Sequence, residues 1–178
     1  MSIIKHPDQR VAVFIDAQNL YHSARNLYGK NVDFGKILDH AVAGRKLIRA
    51  IAYVIASEGG EESTFFEALT KRGIETKVKD LQVFSSGAKK GDWDVGLAVD
   101  AIKMAPRMDA IIIVSGDGDY VPLVQYLQTM TQVEAVAFGK STSSMLREAV
   151  DDFIDISEDP KKFLIGQRKP SRKRAGKK

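Results

Sequence analysis

Ile111-Ile112-Ile113-Val114-Ser115-Gly116-Asp117-Gly118-Asp119 is the stretch that decides the fold. Consecutive β-branched residues read as a strand buried on both faces, which is the habit of a parallel sheet covered by helices. The run breaks directly into Ser-Gly-Asp-Gly-Asp, a tight turn. Two carboxylates therefore stand just past the end of the most apolar strand in the chain.

The same pattern recurs upstream. Arg10 to Ile15 reads as a second buried strand, and Asp16 follows it directly. Asn19 to Tyr28 is helical, with Leu20, Ala24 and Leu27 on one face. Phe34 to Ala43 is a second helix, Leu47 to Ala56 a long strand, and Glu61 to Arg72 a helix closed by Gly73. Ile74 to Phe84 reads as one strand, and Ser85 to Gly91 as a polar loop. Trp93 to Met104 is helical and Pro106 stops it. Beyond the Ala110 to Val114 strand, Pro122 sits in the first turn of a helix that runs to about Met130. Val133 to Phe138 is a strand, Ser143 to Ala149 a short helix, and Phe153 to Ile156 a last strand.

Strands alternating with helices predict an α/β fold: a three-layer α/β/α sandwich with a mostly parallel central sheet. Ligands of such folds bind beyond the carboxyl ends of the strands, at a topological switch point. If the strands ending at Ile15 and Val114 are neighbours, Asp16, Asp117 and Asp119 meet at one edge of the sheet. Asp94 opens the helix after the Lys-rich loop and can lean into the same place. Carboxylates against a core are costly unless compensated, and several together repel. A divalent cation with oxygen ligands relieves both problems. Asp100 is six residues past Asp94, about 240° around a helix, so it cannot face the same ion and reads as a solvated or supporting residue.

Composition narrows the chemistry. The 178 residues suit one domain with a real core. Residues 1–9 read as an N-terminal extension, 10–160 as the domain, and 161–178 as a basic tail. There is no cysteine, which excludes thiol catalysis and cysteine-ligated zinc. His6, His22 and His40 are scattered, which argues against a zinc enzyme or a histidine-based ribonuclease. His22 shares a helical face with Asn19, and its plainest reading is a surface histidine. No apolar run is long enough to span a bilayer, and Met1 to Arg10 carries no apolar signal; a cytoplasmic protein is expected. Residues 161–178 hold nine Lys or Arg and no acid, which leaves the first 160 with 18 basic and 23 acidic residues, or about −5. An acidic body with a basic tail suggests that the tail contacts phosphate backbones.

At the carboxylates the sequence resembles the NYN domain family, a branch of the PIN-like nucleases, and looks most like its bacterial LabA-like members. The matching pieces are Phe14-Ile15-Asp16-x-x-Asn19-Leu20, then Lys90-Gly91-x-x-Asp94-Val95 running on to Asp100, then Ser115-Gly116-Asp117-Gly118-Asp119-Tyr120. Ser144 to Phe153 adds a weaker match, and the resemblance spans Arg10 to Ile156. It implies a PIN-like, Rossmann-like sandwich and metal-dependent endoribonuclease activity with Mg²⁺ or Mn²⁺. Carried onto these positions, Asp16 would be a central metal ligand and Asn19 would orient the ligands. Asp94 and Asp117 would bind the ion, and Asp119 would support them or hold a second ion. Asp92, Trp93 and Asp94 stand in a row, with Asp94 the favoured ligand and Asp92 an exposed neighbour.

An acidic site needs help to hold RNA. Lys89, Lys90 and the tail residues Arg168, Lys169, Arg172, Lys173 and Arg174 supply positive charge, with Lys140 and Arg147 as further sources. Trp93 and Tyr120 flank the aspartates and are expected to stack on bases, at roughly 1–3 kcal/mol each, or else to pack in the core. Ser115-Gly116 is expected to let the backbone approach a ligand closely. RNA is the expected partner, with no membrane, and a homodimer is one expected assembly. The alternative reading is an NYN-fold RNA-binding or protein-interaction module without catalysis. A haloacid-dehalogenase-type phosphohydrolase wants an aspartate two residues past Asp16, where Gln18 stands. A dinucleotide-binding protein wants a Gly-rich turn after the first strand, and none is there.

Overall fold

The structure, a computed structural model, describes residues 3–56, 63–87 and 89–166. In chain order its elements begin with β1 (Arg10–Asp16), α1 (Ala17–Tyr28), β2 (Asn31–Val32), α2 (Phe34–Val42), β3 (Lys46–Ala56) and α3 (Ser63–Lys71). Next come β4 (Glu75–Asp80), β5 (Gln82–Val83), β6 (Lys89–Lys90), α4 (Asp94–Met104) and β7 (Ala110–Val114). The chain continues with α5 (Val121–Leu127), β8 (Gln132–Ala137), α6 (Ser144–Ala149), β9 (Asp152–Asp155) and β10 (Leu164–Ile165).

Six strands form the central sheet in the order β4-β3-β1-β7-β8-β9, and every pairing in it is parallel. The alternation of side chains along each strand builds two separate cores. Val11, Val13, Ile15, Ile112 and Val114 face one way, onto Leu20 and Ala24 of α1, Ile37 and Leu38 of α2 and Leu69 of α3. Ala12, Phe14, Ile111 and Ile113 face the other way, onto Leu97 and Ala101 of α4, Val124 and Leu127 of α5 and Leu146 of α6. Each large aliphatic side chain so buried contributes roughly 1.5–3 kcal/mol relative to exposure. The result is the expected three-layer sandwich.

β1 pairs with β7, Ile15 opposite Val114. From β1 the chain first builds toward β3 and β4, and it later returns to build outward from β7. The C-terminal ends of β1 and β7 therefore form a topological switch point. α1 leaves it on one face of the sheet, and α4 starts beside it on the other.

Some boundaries differ from expectation. The Ile74 to Phe84 strand is two pieces. β4 lies on the sheet edge, and Gln82–Val83 pairs with Lys89–Lys90 in a separate antiparallel ribbon. The break falls at Leu81, whose side chain lies with that of Ile55 beside Gly91. The helix from Val121 ends at Leu127, where a turn closes with Thr129 Oγ1 donating to the Tyr126 carbonyl. The Glu61 to Arg72 helix starts at Ser63 among the described residues, and Gly73 follows it with φ +75°, the left-handed conformation. Trp93 precedes its helix rather than opening it. Past Lys161 the described chain continues to Gly166: β10 pairs with β2, and Phe163 is buried in the α1/α2 core.

Candidate active site

Asp16 is the last residue of β1 and the N-cap of α1. Its Oδ1 accepts the Asn19 backbone N–H at 3.2 Å. Its Oδ2 accepts the Ser115 hydroxyl at 3.1 Å, and the Tyr120 hydroxyl lies 3.3 Å away. Asn19 reaches across to β7, its Oδ1 accepting the Gly116 N–H at 2.9 Å. The end of β1 and the turn after β7 are thus locked together by Asp16, Asn19 and Ser115. Ser115 is fully buried, and its oxygen also accepts the Asp117 N–H at 3.2 Å.

The turn after β7 is a single helical turn, Gly118–Tyr120, capped by Asp117, whose Oδ1 accepts the Asp119 N–H at 2.9 Å. Its glycines are required by packing. A Cβ on Gly116 would come within 2.7 Å of Thr142 Oγ1 and 3.2 Å of its Cα, and one on Gly118 within 2.7 Å of Ser143 Oγ. The close approach expected at Ser115-Gly116 is therefore to the Thr142–Ser143 backbone, which also donates the Ser143 N–H to the Gly116 carbonyl.

Asp94 is the first residue of α4, and its Oδ1 accepts the Tyr120 hydroxyl at 2.9 Å. Carboxylate oxygens of Asp94, Asp117 and Asp119 all lie within 4.8 Å of one another. Asp16 was expected as the central ligand, yet it is not in that group; three donors already engage its oxygens, and it joins Asp94 through the Tyr120 hydroxyl. Asp119, expected as a helper, stands in the group. Asp92 is exposed and lines the same cleft. Asp100 lies elsewhere, accepting from the Tyr53 hydroxyl and Lys77 Nζ at 2.7 Å each.

Tyr120 corrects the base-stacking expectation. Its ring is 2% exposed and packs in the α4/α5 core, so it offers no face to a base. It serves as a hydroxyl clamp between two carboxylates. Trp93 is half-buried. Its Nε1 donates to the Val54 carbonyl at 3.0 Å, its ring covers Gly96, and Lys79 Nζ lies 4.5 Å from a ring centroid. Lys89 and Lys90 form the ribbon strand that leads toward Asp94. Arg147 is engaged with Asp155 and Phe153. The tail residues Arg168, Lys169, Arg172, Lys173 and Arg174 lie outside the described residues.

A cleft of about 330 Å³ opens between the starts of α1 and α4. Asp16 and Asp117 line it, with Asp92, Trp93 and Asp94 on one wall. The other wall is α1, which presents Gln18, His22 and Asn26 beside Asn19. That neutral polar row went unread in the sequence beyond His22. Its signal is the i, i+4, i+8 spacing of hydrogen-bonding residues on a helix that starts at a site carboxylate. A larger hollow of about 520 Å³, whose lining includes Lys5, Lys36, Asp39, His40 and Lys162, shares no residue with the cleft.

Comparison with known proteins agrees with this geometry. The NYN domain family model matches residues 10–157. The chain belongs to the NYN domain family. This NYN domain is PIN-like, in a family whose members are generally nucleases. It is 26% identical to the low amplitude and bright protein LabA of Synechococcus elongatus over 171 residues, 90% of each chain. It is also similar to the crystal structure of a Vibrio parahaemolyticus protein of unknown function, with a TM-score of 0.80 and 33% identity, over 92% of this chain and 100% of that one. No helix of the described residues is long and apolar enough to cross a membrane.

The electrostatics of this NYN site are those of a carboxylate cluster that could hold a divalent cation. Burial pushes the Asp16 carboxyl above its ordinary range, the bonds from Asn19, Ser115 and Tyr120 oppose that, and the Asp94 charge adds to it. Burial also raises Asp94, the Tyr120 bond opposes it, and repulsion from Asp92, Asp117 and Asp119 adds to it. Burial and the two neighbouring carboxylates push the Tyr120 hydroxyl upward, so it stays protonated as a donor. The donor set is hard oxygen at partly exposed positions, which fits Mg²⁺ or Mn²⁺ and disfavours softer ions.

A sign follows for the protein without metal. A folded pKa above the unfolded value means that the native state holds the proton longer. The contribution of Asp94 to stability is therefore complete at low pH and falls as pH rises through that window. Asp94→Asn removes the repulsion and keeps an acceptor for Tyr120. In EDTA it is expected to melt a few degrees above the wild type near pH 7, with the gap closing below about pH 4. A variant that melts below the wild type at neutral pH would contradict a raised Asp94.

Proposed function

We propose that this NYN domain is a divalent-metal-dependent endoribonuclease that hydrolyses RNA phosphodiester bonds in the cleft between α1 and α4. The observation that carries the reading is the meeting of Asp94, Asp117 and Asp119 oxygens within 4.8 Å of one another. They meet at the switch point of a fold whose family is generally nucleolytic.

Asp94, Asp117 and Asp119 would hold Mg²⁺ or Mn²⁺, which when bound lowers the pKa of a water and offsets negative charge at the scissile phosphate. The chain's own residues set the geometry. Tyr120 donates to Asp94 Oδ1 and fixes the rotation of that carboxylate. The Asp119 N–H does the same for Asp117 Oδ1. Asp16 and Asn19 hold the β7 turn against β1, so Asp117 and Asp119 cannot drift from Asp94. Outer partners of this kind are typically worth 10–100-fold in metal affinity or activity. Trp93 supplies an aromatic wall for a nucleotide beside the reacting phosphate, and the charges of Lys89 and Lys90 are proposed to help hold the RNA backbone.

The test uses labelled single-stranded and structured RNA with Mg²⁺, Mn²⁺ or EDTA. Cleavage is expected only with metal. Asp117→Asn, which keeps the cap acceptor, is expected to lower the rate roughly 100-fold or more. RNA binding without cleavage across all substrates and both metals would replace this reading with the non-catalytic module. Cleavage undiminished in Asp117→Asn would refute the site.

The basic tail is proposed to add sequence-independent contacts to the RNA backbone. Removing residues 167–178 takes away seven Lys or Arg and leaves Phe163 in the core. Log affinity for single-stranded RNA is expected to weaken and its salt slope to flatten, by about 0.7 for each lost phosphate contact. An unchanged slope would rule the tail out.

A further inference from the structure

Helix α4 is apolar on both of its faces. Leu97 and Ala101 are fully buried against the sheet. On the opposite side stand Val95, Val99 and Ile102, exposed at 75%, 42% and 38%. They are spaced i, i+4 and i+7, so they form one stripe along the helix. An outer helix of a sandwich normally turns a polar face to water. Apolar residues all round are the pattern of a helix covered on both sides.

The neighbouring chain extends the signal. Val83 and Phe84 are exposed in and beside the ribbon that leads into α4. Five of the 14 exposed large hydrophobic residues among those described thus fall between positions 83 and 102. Scattered single residues would need no explanation, but a concentration of this kind marks an interaction surface.

We propose that the outer face of α4 packs against its own copy, two α4 helices crossing antiparallel on a twofold axis to make a homodimer. Self-complementarity is what a twofold interface demands, and the stripe has it. Centred between Ala98 and Val99, an antiparallel pair sets Val95 of each copy level with Ile102 of the other. The small Ala98 at the crossing admits a close helix approach, in the range of about 8–10 Å between axes. The charges are ordered in the same sense. Exposed Asp92 stands just before the N-terminal end of α4, and Lys103 and Arg107 mark its C-terminal end. Antiparallel packing brings each acidic end level with the basic end of the other copy and opposes the helix dipoles. Parallel packing would set like ends together. The inference stands apart from the nuclease reading, although α4 begins at a site carboxylate.

The full chain has no cysteine, so an introduced thiol reports on contact without background. Light scattering after size exclusion, from roughly 1 to 100 µM protein, is expected to show the dimer mass. Val99→Lys is expected to weaken association roughly 100-fold with an unchanged circular dichroism spectrum, because the position is open to solvent in the single chain. Under mild oxidation Val99→Cys should cross-link to itself, since the position meets its own copy near the axis. Met145→Cys, 67% exposed on α6, should not. A monomer throughout the range, a dimer insensitive to Val99→Lys, or a Val99→Cys protein that cross-links no faster than Met145→Cys overturns the proposal.

Discussion

Ile15 and Val114 sit opposite each other in a parallel pair, and the site depends on that register. Because both strands run the same way, both end at the same edge of the sheet. Asp16 and the Ser115–Asp119 turn are then held a strand spacing apart, about 4.8 Å. An antiparallel pairing would send them to opposite ends. The hydrogen bonds of Asp16, Asn19 and Ser115 across the gap are local consequences of that pairing. So is the position of α4, which reaches the same edge from the other face of the sheet with Asp94 first.

That gathering has an electrostatic cost, since each carboxylate that leaves water and approaches another resists ionisation. Burial and mutual repulsion raise Asp16 and Asp94 together. Hydrogen bonds offset part of this, among them that of the Tyr120 hydroxyl, whose oxygen, with a single proton to give, lies between Asp94 Oδ1 at 2.9 Å and Asp16 Oδ2 at 3.3 Å. What remains is the field into which a hard divalent cation fits. Elsewhere the fold treats charge differently. Arg45 and Glu134 have buried side chains, yet they form a two-pronged pair at 2.6 and 2.9 Å, and Lys5, 3.7 Å from Glu134, is itself paired with Asp152. The contrast between a neutralised pair and an uncompensated cluster separates a structural ion pair from a candidate ion centre.

Much of this was legible in the sequence because it follows from local rules. Buried β-branched runs broken by Gly and Asp announced parallel strands ending at a ligand edge. Helical geometry excluded Asp100 before its bonds to Tyr53 and Lys77 were seen. What was not legible required tertiary contacts. Tyr120 reads as either a base-stacking or a core aromatic, and only the turn of Gly118–Tyr120, which places its ring in the core, decides between them. Gly116 reads as room for a ligand, whereas distant Thr142 fills that room. Asp16 reads as a metal ligand, and only tertiary contacts show that Ser115 and Tyr120 share its Oδ2. The two-residue pairing of β2 with β10 is too short to carry a periodicity.

The central claim is that parallel strands and a helix start bring Asp94, Asp117 and Asp119 together as the seat of a divalent cation. Anomalous diffraction at the manganese edge, from crystals grown with Mn²⁺, tests it directly. The account predicts a peak in the cleft between α1 and α4, within roughly 2.0–2.6 Å of oxygens from these three carboxylates. Mn²⁺ bound away from the cleft, or absent from it at millimolar concentration, would contradict it.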